Sequence, residues 1–241
     1  MLFSINVDHV AFLRNARMED HPDPVTFALL AEQYGVDGIV VHLREDRRHI
    51  TERDLRLLRE MITTKLDLEM AADEEIIKTA VDVQPDLATI VPEKREELTT
   101  EGGLNVIDNI DQMRTTIEKL HEADIPVSLF IEPDSPQIDA SAEINADFIE
   151  IHTGNFANAE TEDEFYDELE RIRQAAKYAK KLGLGVNAGH GLNYQNMKEF
   201  IAIDEIDEVS IGQAIVARSV FVGAEKAIRE MIELVRLKKS N

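Results

Sequence analysis

The stretch VVHLREDRRHI, Val40 to Ile50, sets three arginines and two histidines within eleven residues of a chain whose formal net charge is -22. Clustered cations in an acidic chain suit a small anion, because a guanidinium fork holds phosphate or carboxylate oxygens in pairs. Five of the seven histidines, His9, His42, His49, His152 and His190, stand at or just beyond the ends of short runs of β-forming residues. Glu69 in LDLEMA and Glu150 in DFIEIH occupy the same kind of position. Imidazole titrates close to neutrality, so histidines and carboxylates gathered in one place point to acid–base chemistry. His21 in a loop and His121 near a helix end need only solvent or the helix dipole.

Two further stretches, NAGHGLNYQN (187–196) and VSIGQAIVARS (209–219), place glycines just ahead of helix-like segments. Glycine lets backbone N–H groups close on an anion, and a helix N-terminus favours negative charge. With Arg44, Arg47, Arg48 and His49 grouped elsewhere, the pattern calls for two anionic groups. Tight turns that merely need glycine, and arginines paired with surface acids at positions 47 and 48, are the competing structural reading.

Other chemistries lack their residues. The chain has no cysteine, which removes disulfides and thiolate-bound metals. No GxSxG, no GxGxxG after the first strand, no His-x-His pair and no HExxH helix is found, so serine hydrolysis, hydride transfer and metal dependence are not expected. No lysine falls on an inward strand position in this reading; Lys94 in VPEKREE is nearest, and a lysine imine is not indicated.

Eight elements must position these residues: FSINVDH (3–9), DGIVVHL (37–43), LDLEMA (66–71), LATIVP (87–92), PVSLFI (126–131), DFIEIH (147–152), LGVNAG (184–189) and EVSIGQ (208–213). Helical patterns fill the gaps at 23–34, 51–65, 74–83, 106–122, 136–145, 162–182, 194–203 and 223–238. Eight βα units without an internal linker predict an α/β chain folded as a (β/α)8 TIM barrel, one catalytic domain over residues 1–241, with an open doubly wound sheet as the alternative. Side chains alternate across a strand, so Ile39, Val41 and Leu43 share one face while His42 and Arg44 share the other. If the oily face meets the helices, Asn6, Asp8, His42, Arg44, Glu69, Glu150 and His152 point into the barrel near the C-terminal strand ends. A polar network plugging the barrel mouth is the rival account.

Forty-eight acidic residues against twenty-six basic ones disfavour nucleic acid and anionic membranes as partners. No window approaches the apolar length of a membrane span, and a cytoplasmic location is expected.

The segments NVDHVAFLRNAR, DGIVVHLREDRRHI, LEMA, VPEKREELTTEGGL, VSLFIEPD, FIEIHTG, VNAGHGLNY and IGQAI, in that order, resemble the pyridoxine 5'-phosphate synthase family from about Ser4 to Met231. The resemblance implies a (β/α)8 barrel with a few extra helices, a homo-octamer, and no metal or organic cofactor. It implies condensation of 3-amino-2-oxopropyl phosphate with 1-deoxy-D-xylulose 5-phosphate to pyridoxine 5'-phosphate, phosphate and water, with phosphate lost from the aminoketone portion. Carried over, the catalytic acid/base residues fall on His42, Glu69 and His190, and a transition-state-stabilising glutamate on Glu150. Contacts to the aminoketone phosphate fall on Asn6, Arg17, Gly191, Gly212 and Gln213, where the family often has histidine in place of this glutamine. Contacts to the sugar phosphate fall on Asp8, His9, Arg44, His49 and Thr99. The loop Thr99–Leu104 is expected to close over the site. A different phosphosugar isomerase or aldolase, and a phosphometabolite-binding barrel without turnover, are the functional alternatives.

Overall fold

Aliphatic side chains on alternate strand positions leave each strand one face to bury against helices, and eight such strands satisfy every edge by closing on themselves. The computed structural model describes residues 1–93 and 102–237. Strands β1 (Leu2–Asn6), β2 (Gly38–His42), β3 (Lys65–Met70), β4 (Leu87–Ile90), β5 (Val127–Ile131), β6 (Phe148–His152), β7 (Gly185–Gly189) and β8 (Glu208–Ile211) pair in parallel in chain order, and β8 pairs with β1 to close the barrel. The register aligns Ile5 with Ile39 and Leu66, and Leu129 with Ile149 and Val186, as rows of the core between strands and helices. The intervening inward positions align His42 with Glu69 and Glu150 with Asn187. The predicted (β/α)8 barrel and its polar inner face are both present.

The helices are α1 (Asp8–Asn15), α2 (Pro24–Tyr34), α3 (Glu52–Met61), α4 (Glu74–Val83), α5 (Ile110–His121), α6 (Ser135–Glu143), α7 (Gly154–Ala157), α8 (Glu162–Lys181), α9 (Met197–Phe200), α10 (Gln213–Val222) and α11 (Ala224–Arg236). Local chemistry fixes their ends. Thr51 and Asp54 form a reciprocal capping box at α3, Thr161 and Glu164 another at α8, and Asp73 caps α4. Gly35, at φ 103°, ends α2 in the left-handed conformation that glycine tolerates.

Three of the boundaries that differ from the sequence reading bear on the site. The first strand ends at Asn6 rather than His9, because Asp8 turns back to open α1, its backbone N–H donating to the Asn6 side chain at 2.9 Å. Helix α3 stops at Met61 rather than Lys65: the β-branched run Ile62–Thr64 follows, and Glu32 accepts the N–H groups of Thr63 and Thr64, each at 2.7 Å. Lys65 thereby becomes the first residue of β3. Strand β8 ends at Ile211 and α10 begins at once, so α1, α7 and α10 are additional to the eight helical patterns.

Helix α1 also holds the loop that follows β2. Arg14 makes two 2.8 Å hydrogen bonds to the fully buried Asp54 and donates to the His49 carbonyl at 3.0 Å, while Asn15 donates to the carbonyls of Arg48 and His49. Burial opposes the Asp54 charge, but hydrogen bonds from Arg14 and Arg53 outweigh it and lower the carboxyl's pKa. The stability this supplies is therefore complete above the unfolded-state pKa and is lost as the pH falls through the depressed folded-state value. Arg14→Ala should destabilise the protein by about 3 kcal/mol in urea unfolding at neutral pH, the low end for unpairing a buried charge because Arg53 still reaches Asp54. A loss below about 1 kcal/mol would show the pair to behave as an exposed one.

Candidate active site

At the C-terminal mouth of the barrel lies a cavity of about 320 Å³. Its wall is built by the strand ends and the segments that follow them: Asn6, Asp8 and His9 from β1 and α1, His42, Arg44 and His49 after β2, Glu69 from β3, Glu150 from β6, His190 and Gly191 after β7, and Gly212 and Gln213 after β8. Twelve of the fourteen residues singled out in the sequence as site residues thus face one space. Arg17 does not; it is exposed in the turn after α1. Thr99, Lys94 and the first half of the Thr99–Leu104 loop lie outside the described residues.

His42 sits between two carboxylates. Its Nε2 is 2.8 Å from Glu93 Oε1 and its Nδ1 is 3.9 Å from Glu69 Oε2, while its backbone N–H donates to Asp8 at 2.9 Å. Glu93 also accepts the Glu45 N–H at 3.1 Å, and its pKa is lowered despite burial by His42 and Arg44. A histidine held on one side by a fixed carboxylate and facing another across the cavity is oriented for proton transfer. Burial pushes Glu69 well above the ordinary range, and the nearby carboxylates Glu150, Asp8 and Asp67 push it the same way. Glu150 is raised to about 8, first by burial and then by Asp67 and Glu208. Glu150 is a buried acid that keeps a proton near neutrality, and the partly buried Glu69 is shifted in the same direction, as groups used in proton donation require.

The glycine stretches are shaped by close approach. A side chain at Gly189 would come within 2.2 Å of Glu150 Oε1, so glycine there is what lets that carboxyl stand in the mouth. At Gly212 a Cβ would lie 2.9 Å from the Asn6 carbonyl oxygen, and the backbone then turns directly into α10 with the N–H groups of its first turn beside the cavity. His190 holds a φ of 69°, uncommon for a residue with a side chain and a cost met by its surroundings. Its ring centroid is 5.0 Å from that of His152, and Phe130 packs beside both. His152 Nδ1 is 2.7 Å from Glu132 Oε1, so a carboxylate–histidine pair stands behind His190. Burial, then the neighbouring His152 and His9, lower the His190 pKa to about 4. His9 and His49 are lowered as well, by burial against the pull of Asp8.

The arginines divide. Arg44 is buried and lines the cavity, 3.5 Å from Asp46. Arg47 instead pairs with Glu52 and Glu75, both at 2.7 Å, and Arg48 pairs with Asp46, so the structural reading holds for those two. Asp8, His42 and His49 bring potential metal-ligating atoms within 4.8 Å of one another, a cluster not foreseen in the sequence. Its atoms are already in use: Asp8 accepts from the His42 N–H and from Asn6 Nδ2, and His49 Nδ1 accepts the Ile50 N–H. Glu93 and Glu132 were not read as site residues. Glu132 directly follows β5, in IEP, and Glu93 stands three positions beyond β4, in VPE, the strand-end placement that also marks His9 and His49. Lys65 was read as helical, and no inward lysine was expected; it faces the barrel interior, where its Nζ is 2.6 Å from Glu208.

A closed parallel barrel with acid–base groups and glycine turns at its C-terminal mouth belongs to the class of (β/α)8 barrel enzymes. Solved structures share that fold across nearly the whole chain: phosphoribosyl anthranilate isomerase from Thermus thermophilus at 15% identity and a TM-score of 0.63, covering 98% of both chains, and thiamine phosphate pyrophosphorylase from Pyrococcus furiosus at 14% and 0.63, covering 97% of this chain and 94% of that one. The chain belongs to the family described as pyridoxal phosphate biosynthesis protein PdxJ, whose model matches residues 3–237. It is 53% identical to pyridoxine 5'-phosphate synthase of Geotalea daltonii over 96% of this chain and 97% of that one, and 55% identical to the protein of the same name from Chlorobium luteolum over 98% and 100%.

The histidine environment has a direct check. In a proton NMR titration the His190 ring signals should stay at their neutral positions until the pH approaches 4. A midpoint near 6.5, the ordinary histidine value, would contradict the burial argument.

Proposed function

We propose that the protein is a pyridoxine 5'-phosphate synthase, condensing 3-amino-2-oxopropyl phosphate with 1-deoxy-D-xylulose 5-phosphate to give pyridoxine 5'-phosphate, phosphate and water. The observation that carries this reading is the convergence of His42, Glu69, Glu150 and His190 on one cavity, in a chain more than half identical along its length to proteins of that name. The reading takes residues 1–241 as one catalytic barrel domain acting without metal or organic cofactor, in the cytoplasm.

The aminoketone phosphate is assigned to the rim formed by Asn6, Gly191, Gly212 and Gln213, without Arg17, which stands outside that rim. The side chain of Gln213 is exposed at the start of α10, so its contact with phosphate is through the backbone N–H. The sugar phosphate is assigned to Asp8, His9, Arg44 and His49, completed by Thr99. Holding both anions in one mouth converts a bimolecular condensation into an intramolecular one.

The amine then attacks the sugar ketone, and the carbinolamine loses water to give an imine between the substrates. His42, fixed by Glu93, takes and returns the protons, with Glu69 as the acid that supports dehydration. Carbon bookkeeping revises one expectation. The ring takes its nitrogen and two carbons from the aminoketone, whose phosphorylated methylene becomes the phosphorylated arm of the product. The phosphate released is therefore the sugar's, and the aminoketone phosphate is retained as an anchor. Loss of the sugar phosphate with water taking its place at that carbon, loss of the neighbouring hydroxyl as water, and attack of that neighbouring carbon on the aminoketone carbonyl, whose oxygen leaves as water, close the ring, with Glu150 meeting the charge that develops. His190, neutral at rest, accepts a proton before it donates one in this stage.

A homo-octamer is the assembly that goes with this reading. Its support is an apolar surface on two touching helices, where Val220 and Phe221 of α10 are 70% and 84% exposed and Leu13 of α1 is 49% exposed.

Chelator-treated protein given both substrates should release phosphate and form an absorbing pyridine together, and neither with one substrate omitted. His42→Ala and Glu69→Gln should each reduce kcat at least about 100-fold, and Glu93→Gln roughly 10-fold by loosening His42. Turnover of a single sugar phosphate alone would instead favour an isomerase or aldolase.

A further inference from the structure

Below the mouth, among the described residues, the barrel interior holds one ammonium group beside carboxyls, and the proposed mechanism does not use it. Lys65, at the start of β3, places Nζ 2.7 and 2.6 Å from the two carboxylate oxygens of Glu208 on β8 and 4.0 Å from Asp67 Oδ2. Asp67 accepts a 2.8 Å hydrogen bond from Thr89 on β4. Lys65, Asp67 and Glu69 alternate along one face of β3, so this floor runs directly up into the site. Apolar side chains fill such interior layers in most barrels of this fold. Buried charges are costly and persist only where they are paired.

We propose that Lys65, clamped by Glu208 and Asp67, is a positioning residue whose single positive charge sets how many protons the column Asp67–Glu150–Glu69 holds, and thereby the charge that Glu69 and Glu150 present to substrate. The groups facing Glu150 are Lys65, Asp67 and Glu69 of β3 and Glu208 of β8, while its register neighbours Phe130 and Asn187 are uncharged. Those facing Glu69 are Glu150, Asp67, Asp8 and His42, with Asn6 donating a hydrogen bond and Thr89 uncharged beside it. Burial raises Asp67 to about 6, with Glu208 adding to the rise and Lys65 opposing it. Burial works against the Lys65 ammonium, yet Asp67 and Glu208 raise its pKa, so the cation persists. The column thus holds a fixed positive charge below and shared protons above.

The inference rests on the synthase reading for its catalytic meaning, but the charge assignment can be read in the resting protein. Infrared titration of the protonated-carboxyl band, without substrate, should show fewer protonated carboxyls at neutral pH in Asp67→Asn, where a repelling charge is gone. Lys65→Met should show more, because the column replaces the lost cation with a proton. The limb of the kcat/KM profile that the column controls should move by about one pH unit, down for Asp67→Asn and up for Lys65→Met. A merely structural role lowers activity without moving the limb. Should Lys65→Met fail to fold, the near-isosteric Asp67→Asn decides alone. Bands and profiles that coincide with the wild type, or two variants that shift in the same direction, overturn the assignment. Bands that shift as expected in a protein with no turnover of the two substrates would leave it standing and remove the synthase reading instead.

Discussion

The closure of eight parallel strands governs everything else in this protein. Once β8 pairs with β1, each strand residue faces either the helices or the barrel interior, and a shift of one residue would exchange the two sets. Rows of Ile, Leu and Val take the outer positions and bury against the helices. The inner positions are then free for groups that a hydrophobic core would reject, among them Glu69, Glu150, Asp67 and Asn187. The cost of burying them is met by pairing within the interior and by proton uptake, and those same two devices are what acid–base chemistry uses. Stability and reactivity are thus assigned to opposite faces of the same strands.

A second division runs along the barrel axis. The floor is closed by the Lys65–Glu208 ion pair, and the mouth is built from segments that follow the strands. Those segments are held from outside the cavity: Arg14 and Asp54 fix the loop carrying His49, Glu93 fixes His42, and the Glu132–His152 pair stands behind His190. Each histidine of the mouth that is given a role in catalysis therefore has a neighbour that limits its orientation. Preorganisation of this kind removes reorganisation from the reaction itself.

Much of this was legible in the chain because alternation and spacing carry it. The eight strands, the inward parity of His42, Glu69 and Glu150, and the glycine turns after β7 and β8 all follow from short-range pattern. What was not legible depends on contacts between distant residues. Lys65 looked like the end of a helix because Glu32, thirty-odd positions away, supplies the hydrogen bonds that stop α3. Glu93 and Glu132 lie in charged or proline-containing loops, where parity gives no direction. Arg14 falls in a stretch that the sequence assigns to no helix or strand, and its part shows only once Asp54 is brought against it across the fold. The fates of Arg47 and Arg48 turn on the same limit, since only the folded chain shows Glu52, Glu75 and Asp46 around them.

The central claim is that one mouth holds two phosphorylated molecules at once. Phosphorus NMR of the Glu69→Gln protein, with 1-deoxy-D-xylulose 5-phosphate and an aminoketone phosphate analogue lacking the amine, tests it most directly. The account predicts two bound phosphate signals together, each saturating without displacing the other, and selective loss of the sugar phosphate signal in an additional Arg44→Ala change. Displacement of one ligand by the other would show a single shared anion site and contradict it.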